Sequence, residues 1–201
     1  MASISDILTF SDDEPPAGET PWVVRPSVAP IDVVGADPSW PVAYAKVADR
    51  VRNALGARAL QIEHVGSTAV PGLPAKPVID VDLIVASSAD EDAWCPALER
   101  AGFTLTVREP WWHEHRMLKL ADPLAHLHVF SPDAPEPWKH RIFRDHLRRD
   151  SADRDLYAQT KREAAELATN GEETMMEYNA RKQAVIRDIY ARAFRSAGFA
   201  A

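Results

Sequence analysis

The sequence is poor in several features that define whole classes of protein. It has one cysteine, Cys95, in 201 residues, which excludes an internal disulfide framework and a cysteine-rich zinc site. No apolar run approaches the roughly 18 residues that a membrane span needs. The acidic N-terminus lacks the apolar core of a secretory signal. We therefore expect a cytoplasmic protein without a membrane partner.

The chain also has fewer basic than acidic residues. Lys and Arg total 23 against 30 Asp and Glu, so the formal net charge is −7. This balance argues against a general nucleic-acid binder, although a local basic patch is not excluded. Hydrophobic residues make up 46% of the chain. A chain of this size buries roughly 70% of its unfolded surface, which predicts one domain with a substantial core.

Proline, in contrast, is abundant and concentrated near the N-terminus. Five prolines stand among acidic and small residues in the first 30 positions: Pro15, Pro16, Pro21, Pro26 and Pro30. Such composition predicts a flexible arm over residues 1–30, followed by a single domain over 31–201. Trp22 and the two valines after it are the expected anchor of the arm to that domain.

The pattern of apolar residues and breakers predicts a mixed α/β (α+β) fold with a helical C-terminal region. A leading strand is expected over 31–34 and a helix from Pro38 to Gly56, followed by strands near 59–65 and 78–86. A helix over 90–101 and strands near 103–108, 114–120 and 125–130 come next. Helices near 137–149, 152–169 and 173–196 complete the order, with Gly171 between the last two.

The most informative segment is EHVGSTAVPGLPAKPVIDVDLIV, residues 63–85. It joins a glycine-serine turn, Gly66-Ser67, to a strand that carries Asp80 and Asp82. Side chains at i and i+2 of a strand share a face. The two carboxylates, about 6 Å apart, then repel by about 3 kcal/mol at an effective dielectric near 20. That would raise the pKa of one of them by about two, unless Mg²⁺ or Mn²⁺ binds both.

An alternative explanation of the aspartate pair remains open. One Asp could pair with a nearby Arg or Lys while the other faces water, as in many D-x-D sequences. The glycine-serine turn at this spacing favours the metal site over that explanation.

The turn followed by D-x-D resembles the nucleotidyltransferase superfamily. The longer string IEHVGSTAVPGLPAKPVIDVDLIV is similar to the GrpB family, and the similarity extends over about residues 31–192. It includes three further segments, DPSWP (37–41), HLHVF (126–130) and FRDHLR (143–148), and two residue pairs, Tyr157/Lys161 and Tyr178/Lys182.

The resemblance implies roles for individual residues. Asp80 and Asp82 would hold Mg²⁺ or Mn²⁺, while Gly66 and Ser67 would contact the phosphates of a nucleoside triphosphate, preferably ATP. Lys76 and Arg116 would offset phosphate charge. His64 is expected to face the site in preference to its neighbour Glu63.

The expected site lacks the third carboxylate of a full nucleotidyltransferase. The HLHV strand offers His126 and His128 instead, and His128 is assigned as a metal ligand and catalytic residue. Leu127 and Val129 should take the core face, which leaves both histidines facing the aspartates. Glu114 is the nearest acid on a strand. If it reaches the aspartates, catalysis is favoured; if only histidines do, binding or unusual chemistry is favoured.

Further candidates rest on spacing alone. His113 and His115 form a second H-x-H pair, but nothing in the sequence brings it to the first, so a four-histidine zinc cluster is disfavoured. Arg144 belongs to a basic helical stripe that either faces solvent or lines a triphosphate site. Lys161 and Lys182 each follow a tyrosine by four residues. These pairs fit a nucleotide site or simple packing on the core equally well.

The sequence thus predicts a metal-dependent nucleotidyltransferase that moves a nucleotidyl group from an NTP to an unknown small acceptor. One alternative is an inactive domain that binds a nucleotide or phosphometabolite, as GrpB-like domains fused to dephospho-CoA kinase suggest. A metal-dependent hydrolase is the third hypothesis.

Overall fold

The computed structural model describes residues 2–11, 15–25, 32–171 and 175–199; the side chains of 168–171 and 175–176 lie outside this description. Six helices are assigned: α1 (Ile4–Leu8), α2 (Trp40–Leu55), α3 (Glu91–Arg100), α4 (Glu136–Arg149), α5 (Ser151–Gly171) and α6 (Met175–Ser196). Five strands are assigned: β1 (Gln61–Val65), β2 (Ile79–Ile84), β3 (Thr104–Glu109), β4 (His115–Ala121) and β5 (Leu124–Phe130). The predicted mixed α/β class is confirmed.

The five strands form one mixed sheet in the order β1-β2-β5-β4-β3. The central pair, β2 and β5, is parallel, while the other neighbours are antiparallel. A parallel pair needs a long crossover connection, and the chain between β2 and β5 provides it through α3, β3 and β4. The two strands that carry the D-x-D and H-x-H motifs therefore lie side by side at the centre of the sheet.

One face of the sheet, here called the core face, is covered by α2 and α3. Its side chains are fully buried, among them Val81, Leu83, Leu118, Leu127 and Val129. The opposite face, here called the cleft face, carries the aspartates and histidines. Helix α4 contacts β1 beside this face, and α5 and α6 pack against α4 and each other. The positions of the apolar residues along the strands therefore determine which face of the sheet is polar.

The described parts of the N-terminal segment pack on the body. The α1 residue Ile7 is buried with Tyr190 and Phe194, and the ring of Phe10 lies 5.1 Å from that of Tyr190. Trp22 forms a β-bridge to Val107, which confirms the expected anchor. The sequence did not predict α1.

Two other boundaries differ from expectation. The predicted leading strand begins at Ile31, outside the described residues, and in the described part only a single bridge forms, between Val34 and Ala75. Helix α5 runs through to Gly171, and the expected break after it falls on residues outside the description. Among the described residues, no helix combines the length and hydropathy required to cross a bilayer.

Candidate functional site on the cleft face

The parallel pairing of β2 with β5 brings the two motifs together. Asp80 is opposite His126 and Asp82 is opposite His128. The Oδ1 atom of Asp80 lies 3.6 Å from Nδ1 of His126 and 3.9 Å from Nε2 of His128. The predicted register, with Leu127 buried on the core face and both histidines facing the aspartates, is confirmed.

Gly66 packs directly against Asp80. Its φ of 69° and ψ of −170° lie in a region that is essentially restricted to glycine. A Cβ at this position would overlap the Asp80 carboxylate and lie 2.9 Å from the Asp80 Cβ. The absence of a side chain therefore allows the turn that ends at Ser67 to touch the strand that carries the carboxylate.

Asp82 is paired with His140 of α4, which the sequence motifs did not assign to the site. Both of its carboxylate oxygens accept from Nδ1 of His140 on α4, at 2.9 and 3.1 Å, and Asp82 is only 1% exposed. Burial opposes the charged imidazole, but the adjacent Asp82 carboxylate outweighs it and raises the pKa of His140 to about 9. The two form an ion pair at neutral pH, with the carboxylate buried and the imidazole partly exposed.

The expected repulsion between the aspartates is relieved by imidazoles. Burial alone would raise the pKa of Asp80, but the neighbouring His126 and His128 outweigh it and hold that pKa well below its usual range. The prediction that one carboxyl would have a raised pKa is therefore wrong for Asp80. Asp80 keeps an exposed fraction of 32% for its side chain, so its carboxylate is the accessible member of the pair.

A chain of hydrogen bonds leads from His128 into the sheet. Its Nδ1 lies 3.0 Å from Nε2 of His115 on β4, whose Nδ1 lies 2.7 Å from Oε2 of Glu109 on β3. Burial lowers the pKa of His115 to about 4. The expectation that nothing joins the two H-x-H pairs is wrong for His115. His113 instead lies 3.9 Å from the carboxylate of Glu136, so the four histidines do not form one cluster.

Three lysines lie near the cleft. Lys182 Nζ is 3.9 Å from the ring centre of Tyr178, and Lys76 Nζ is 5.4 Å from the same ring. Lys161 Nζ donates to the carbonyl oxygen of Pro74. Burial lowers the pKa of both Lys161 and Lys182 to about 7, and the pKa of Lys76 is also lowered by burial. The Asp80 carboxylate raises the pKa of Lys76 and Lys182 against this effect of burial. Both amines are therefore close enough to interact electrostatically with Asp80.

Tyr157 links this lysine group to the turn. Burial raises the pKa of Tyr157 to about 12, against a smaller effect of a hydrogen bond with the Ser67 side chain. Lys161 Nζ is 4.6 Å from the centre of the Tyr157 ring. Of the two helical pairs whose role the spacing left undecided, Tyr157/Lys161 thus lies beside the glycine-serine turn, and Tyr178/Lys182 lies near Lys76. All four side chains are largely buried.

The structure does not bring Arg116 to the cleft. Its partner across the β4–β5 pair is Val129, so its side chain is on the core-face side of the sheet. There Nε donates to Oε1 of Glu91 at 2.6 Å, and the guanidinium also contacts Glu114 at 3.3 Å. Glu114 precedes β4 and pairs with Arg116, so it does not supply a third carboxylate to the aspartates.

Arg144 lies next to the cleft but is fully engaged in tying α4 to β1. Its guanidinium donates to Glu63 at 2.9 Å, to the carbonyl oxygen of His64 at 2.8 Å and to Asp145 at 2.8 Å. It is a positioning group for α4 in this arrangement and has little capacity left for a phosphate.

The preference for His64 over Glu63 is wrong. Glu63 pairs with Asp82 across β1 and β2 and therefore shares the cleft face, whereas His64 pairs with the core residue Val81. The His64 ring stacks on Tyr44 at 4.6 Å, and burial lowers its pKa to about 4. Glu63 is thus the acid nearest to the aspartates on a neighbouring strand, held by Arg144.

A cavity of about 510 Å³ lies behind the glycine-serine turn. Thr68, whose Oγ1 is 3.0 Å from His64 Nε2, forms part of its wall. The remaining lining is largely apolar and aromatic, with Trp40 and Tyr44 of α2 opposite Arg148 of α4. This cavity does not include Asp80 among its lining residues, so it is distinct from the Asp/His cluster on the cleft face.

These features define a class of protein: a mixed five-stranded sheet whose central strands present an Asp/His cluster beside a glycine turn and buried lysines. The family model described as "GrpB protein" matches residues 30–192. The chain belongs to the GrpB family.

Relatives and a solved structure agree with this assignment. The UPF0157 protein BH1888 of Halalkalibacterium halodurans is 45% identical over 170 residues, covering 85% of this chain and 86% of that protein. The crystal structure of the conserved protein GrpB from Enterococcus faecalis superposes with a TM-score of 0.70 at 27% identity, covering 82% of this chain and 98% of the other.

A third similarity is to part of a longer enzyme. The dephospho-CoA kinase of Mycolicibacterium paratuberculosis is 33% identical over 193 residues, which cover 83% of this chain but only 46% of that kinase. A GrpB-like region thus occurs within a larger protein named for another activity.

Proposed function

We propose that the cleft binds a nucleoside triphosphate, preferably ATP, together with a divalent cation, and transfers the nucleotidyl group to a small acceptor. The observation that carries this proposal is the contact between Gly66 and the Asp80 carboxylate. Because of this contact, a turn that suits phosphate binding lies next to a carboxylate that suits cation binding. Phosphoryl and nucleotidyl transfer depend chiefly on such positioning and on charge neutralisation.

The lysine group supports a place for the phosphates. Lys76 and Lys182 lie within the electrostatic reach of Asp80 and near the same tyrosine ring, Tyr178. Their pKa values are lowered by burial, so a polyanion that entered the cleft would favour the protonated amines and gain charge-assisted hydrogen bonds. Ser67, linked to Tyr157, offers a hydroxyl at the start of this region.

The divalent cation, Mg²⁺ or Mn²⁺, would bind beside the accessible carboxylate of Asp80, because Asp82 is committed to His140. Such cations take carboxylate oxygens as ligands. When bound, such an ion neutralises phosphate charge.

His140 supplies a fixed positive charge to the same face. With its pKa raised to about 9, it holds a proton at Nδ1 that is shared with Asp82 at neutral pH. Its ring centre is 6.4 Å from that of His128. An imidazolium at this position stabilises developing negative charge where a full nucleotidyltransferase would have an acid.

We place the acceptor in the cavity behind the turn. Its volume of about 510 Å³ is within the range of small-molecule sites, and its lining combines aromatic walls with a few polar groups. Tyr44 is the aromatic residue to test, because it stacks on His64 at the wall of this cavity. Tyr44→Leu should lower the rate of transfer without weakening NTP binding.

A binding function without catalysis is the second candidate, and two observations favour it. Asp82 is neutralised by His140, and Glu114 is held by Arg116 on the other side of the sheet. The GrpB-like part of a dephospho-CoA kinase is consistent with a supporting role. In this case the cleft would retain a nucleotide or phosphometabolite without turnover.

Two measurements separate these functions. Differential scanning fluorimetry with ATP and Mn²⁺ should give a larger rise in Tm than either alone, because ligand at 100 times its Kd adds about 2.7 kcal/mol. Release of pyrophosphate from ATP should then be followed across a library of small alcohols, amines and phosphates. Binding without pyrophosphate release for any acceptor supports the binding function; no rise in Tm with any NTP and cation contradicts both.

A further inference from the structure

The spacing of three side chains on the cleft face suits a shared metal ion better than direct contact. The Oδ1 atom of Asp80 is 3.6 Å from His126 Nδ1 and 3.9 Å from His128 Nε2. Both distances exceed the roughly 2.7–3.2 Å of an N–H···O hydrogen bond. Donors bound to one zinc ion at about 2.0–2.1 Å in a tetrahedron lie about 3.3–3.4 Å apart. A small inward movement of the three side chains would therefore complete a coordination shell.

The other aspartate of the D-x-D motif does not belong to this set. Both oxygens of Asp82 accept from His140, and its carboxylate is buried at 1% exposure. The open donors are then one carboxylate and two imidazoles. Imidazole nitrogen suits first-row transition metals, whereas Mg²⁺ requires oxygen.

Two further side chains, Glu109 and His115, fix the orientation of the His128 ring relative to Asp80 and His126. The Glu109 carboxylate can only accept, so His115 carries a proton on Nδ1, which lies 2.7 Å from it. His115 is 4% exposed, and its Nε2 lies 3.0 Å from Nδ1 of His128, placed to accept a hydrogen bond from that nitrogen. This arrangement leaves the lone pair of His128 Nε2 directed at Asp80. Metal-binding histidines are commonly held in this way by a carboxylate or another acceptor.

We propose that Asp80, His126 and His128 form a two-histidine, one-carboxylate site for a divalent first-row transition metal, such as Zn²⁺ or Mn²⁺, in place of Mg²⁺. Glu109 and His115 are its positioning residues. The catalytic meaning of the ion rests on the proposed function, but its binding does not and is testable without nucleotide. A site of this kind leaves open positions for phosphate or water.

The first experiment uses the full chain after chelator treatment, without nucleotide. Co²⁺ is titrated and followed by its visible absorption, and the complex is then challenged separately with millimolar Mg²⁺ and with Zn²⁺. One equivalent of Co²⁺ should bind, be displaced by Zn²⁺ and be insensitive to Mg²⁺. Displacement of Co²⁺ by Mg²⁺, or failure to bind either transition metal, overturns the proposal.

Variants identify the ligands. His126→Asn and His128→Asn each replace a half-buried side chain and should weaken Co²⁺ binding at least 100-fold, whereas Asp150→Asn should leave it unchanged. Asp150 is the matched control, because it belongs to a second His/Asp cluster with His146 and Asp153. Wild-type Co²⁺ affinity in both histidine variants would overturn the assignment. Urea unfolding of each variant identifies any that has lost its fold, and the other histidine variant then decides.

Glu109→Gln tests the positioning residue. We expect 10- to 100-fold weaker Co²⁺ binding with a shifted absorption band, since the carboxylate no longer fixes the proton on His115. An unchanged band and affinity would remove Glu109 from the site.

ATP binding supported by Mg²⁺ alone would overturn the metal proposal and leave the proposed function standing. Co²⁺ binding without any NTP affinity would overturn the proposed function and leave the metal proposal standing.

Discussion

The ion pair between Asp82 and His140 should make the stability of the fold depend on pH in a specific way. The adjacent Asp82 carboxylate raises the pKa of His140 in the folded state to about 9, from an ordinary value of 6.5. A raised pKa means that the folded state binds the proton more tightly. The stabilisation is therefore fully present below pH 6.5 and is lost as the pH rises through 9.

The size of the effect follows from the difference between the two pKa values. At 1.36 kcal/mol for each pKa unit, a rise from 6.5 to about 9 corresponds to an upper bound of about 3 kcal/mol. By linkage, about half of this remains near pH 7.8 and almost none remains at pH 9.5. Lys161 and Lys182, with pKa values lowered to about 7, contribute in the opposite direction above pH 7. The wild-type curve alone therefore does not isolate His140.

The assay compares the wild type with His140→Gln by urea unfolding between pH 6 and 9.5. Other titrating groups largely cancel in the difference between the two free energies of unfolding. That difference should shrink by 2–3 kcal/mol across the range, at an order-of-magnitude level. A difference that stays constant between pH 6 and 9.5 would show that His140 is not held as an imidazolium by Asp82.

The remaining predictions concern the turn, the lysine group and the far face of the sheet. Gly66→Ala should destabilise the fold by about 2 kcal/mol more than Gly72→Ala; both glycines have positive φ, but only Gly66 meets Asp80, and equal effects in urea unfolding would contradict the contact. Lys182→Met should weaken ATP binding at least tenfold by calorimetry while Co²⁺ affinity is retained; unchanged ATP affinity would remove it from the phosphate site. Arg116→Met should cost about 2 kcal/mol of stability through its lost ion pair without changing ATP affinity, and a loss of that affinity would mean that Arg116 reaches the cleft.

Local patterns were sufficient to predict which side chains of β2 and β5 share a face of the sheet. Alternation along HLHVF requires that Leu127 and Val129 be buried together, which leaves His126 and His128 on the opposite face. The same period places Asp80 and Asp82 together. The sequence therefore indicated which side chains share a face, because strand geometry is set by neighbouring residues.

The partners of those side chains could not be predicted in the same way. His140 meets Asp82 across 58 positions of sequence, and the contact depends on how α4 crosses the sheet. The error over His64 and Glu63 has a similar origin: adjacent residues face opposite ways, and the antiparallel register with β2 decides which one shares the face of Asp82. The family resemblance favoured the wrong member of the pair.

The central claim is that a transition-metal ion and a nucleotide occupy the same cleft. Pulsed electron paramagnetic resonance of one Mn²⁺ bound to the protein with ATP tests it directly, because ¹⁴N couplings report histidine ligands and ³¹P couplings report phosphate ligands. The account predicts both couplings in one complex, with the ¹⁴N signal reduced in His126→Asn. A ³¹P coupling without ¹⁴N, or ¹⁴N without ³¹P, would contradict it.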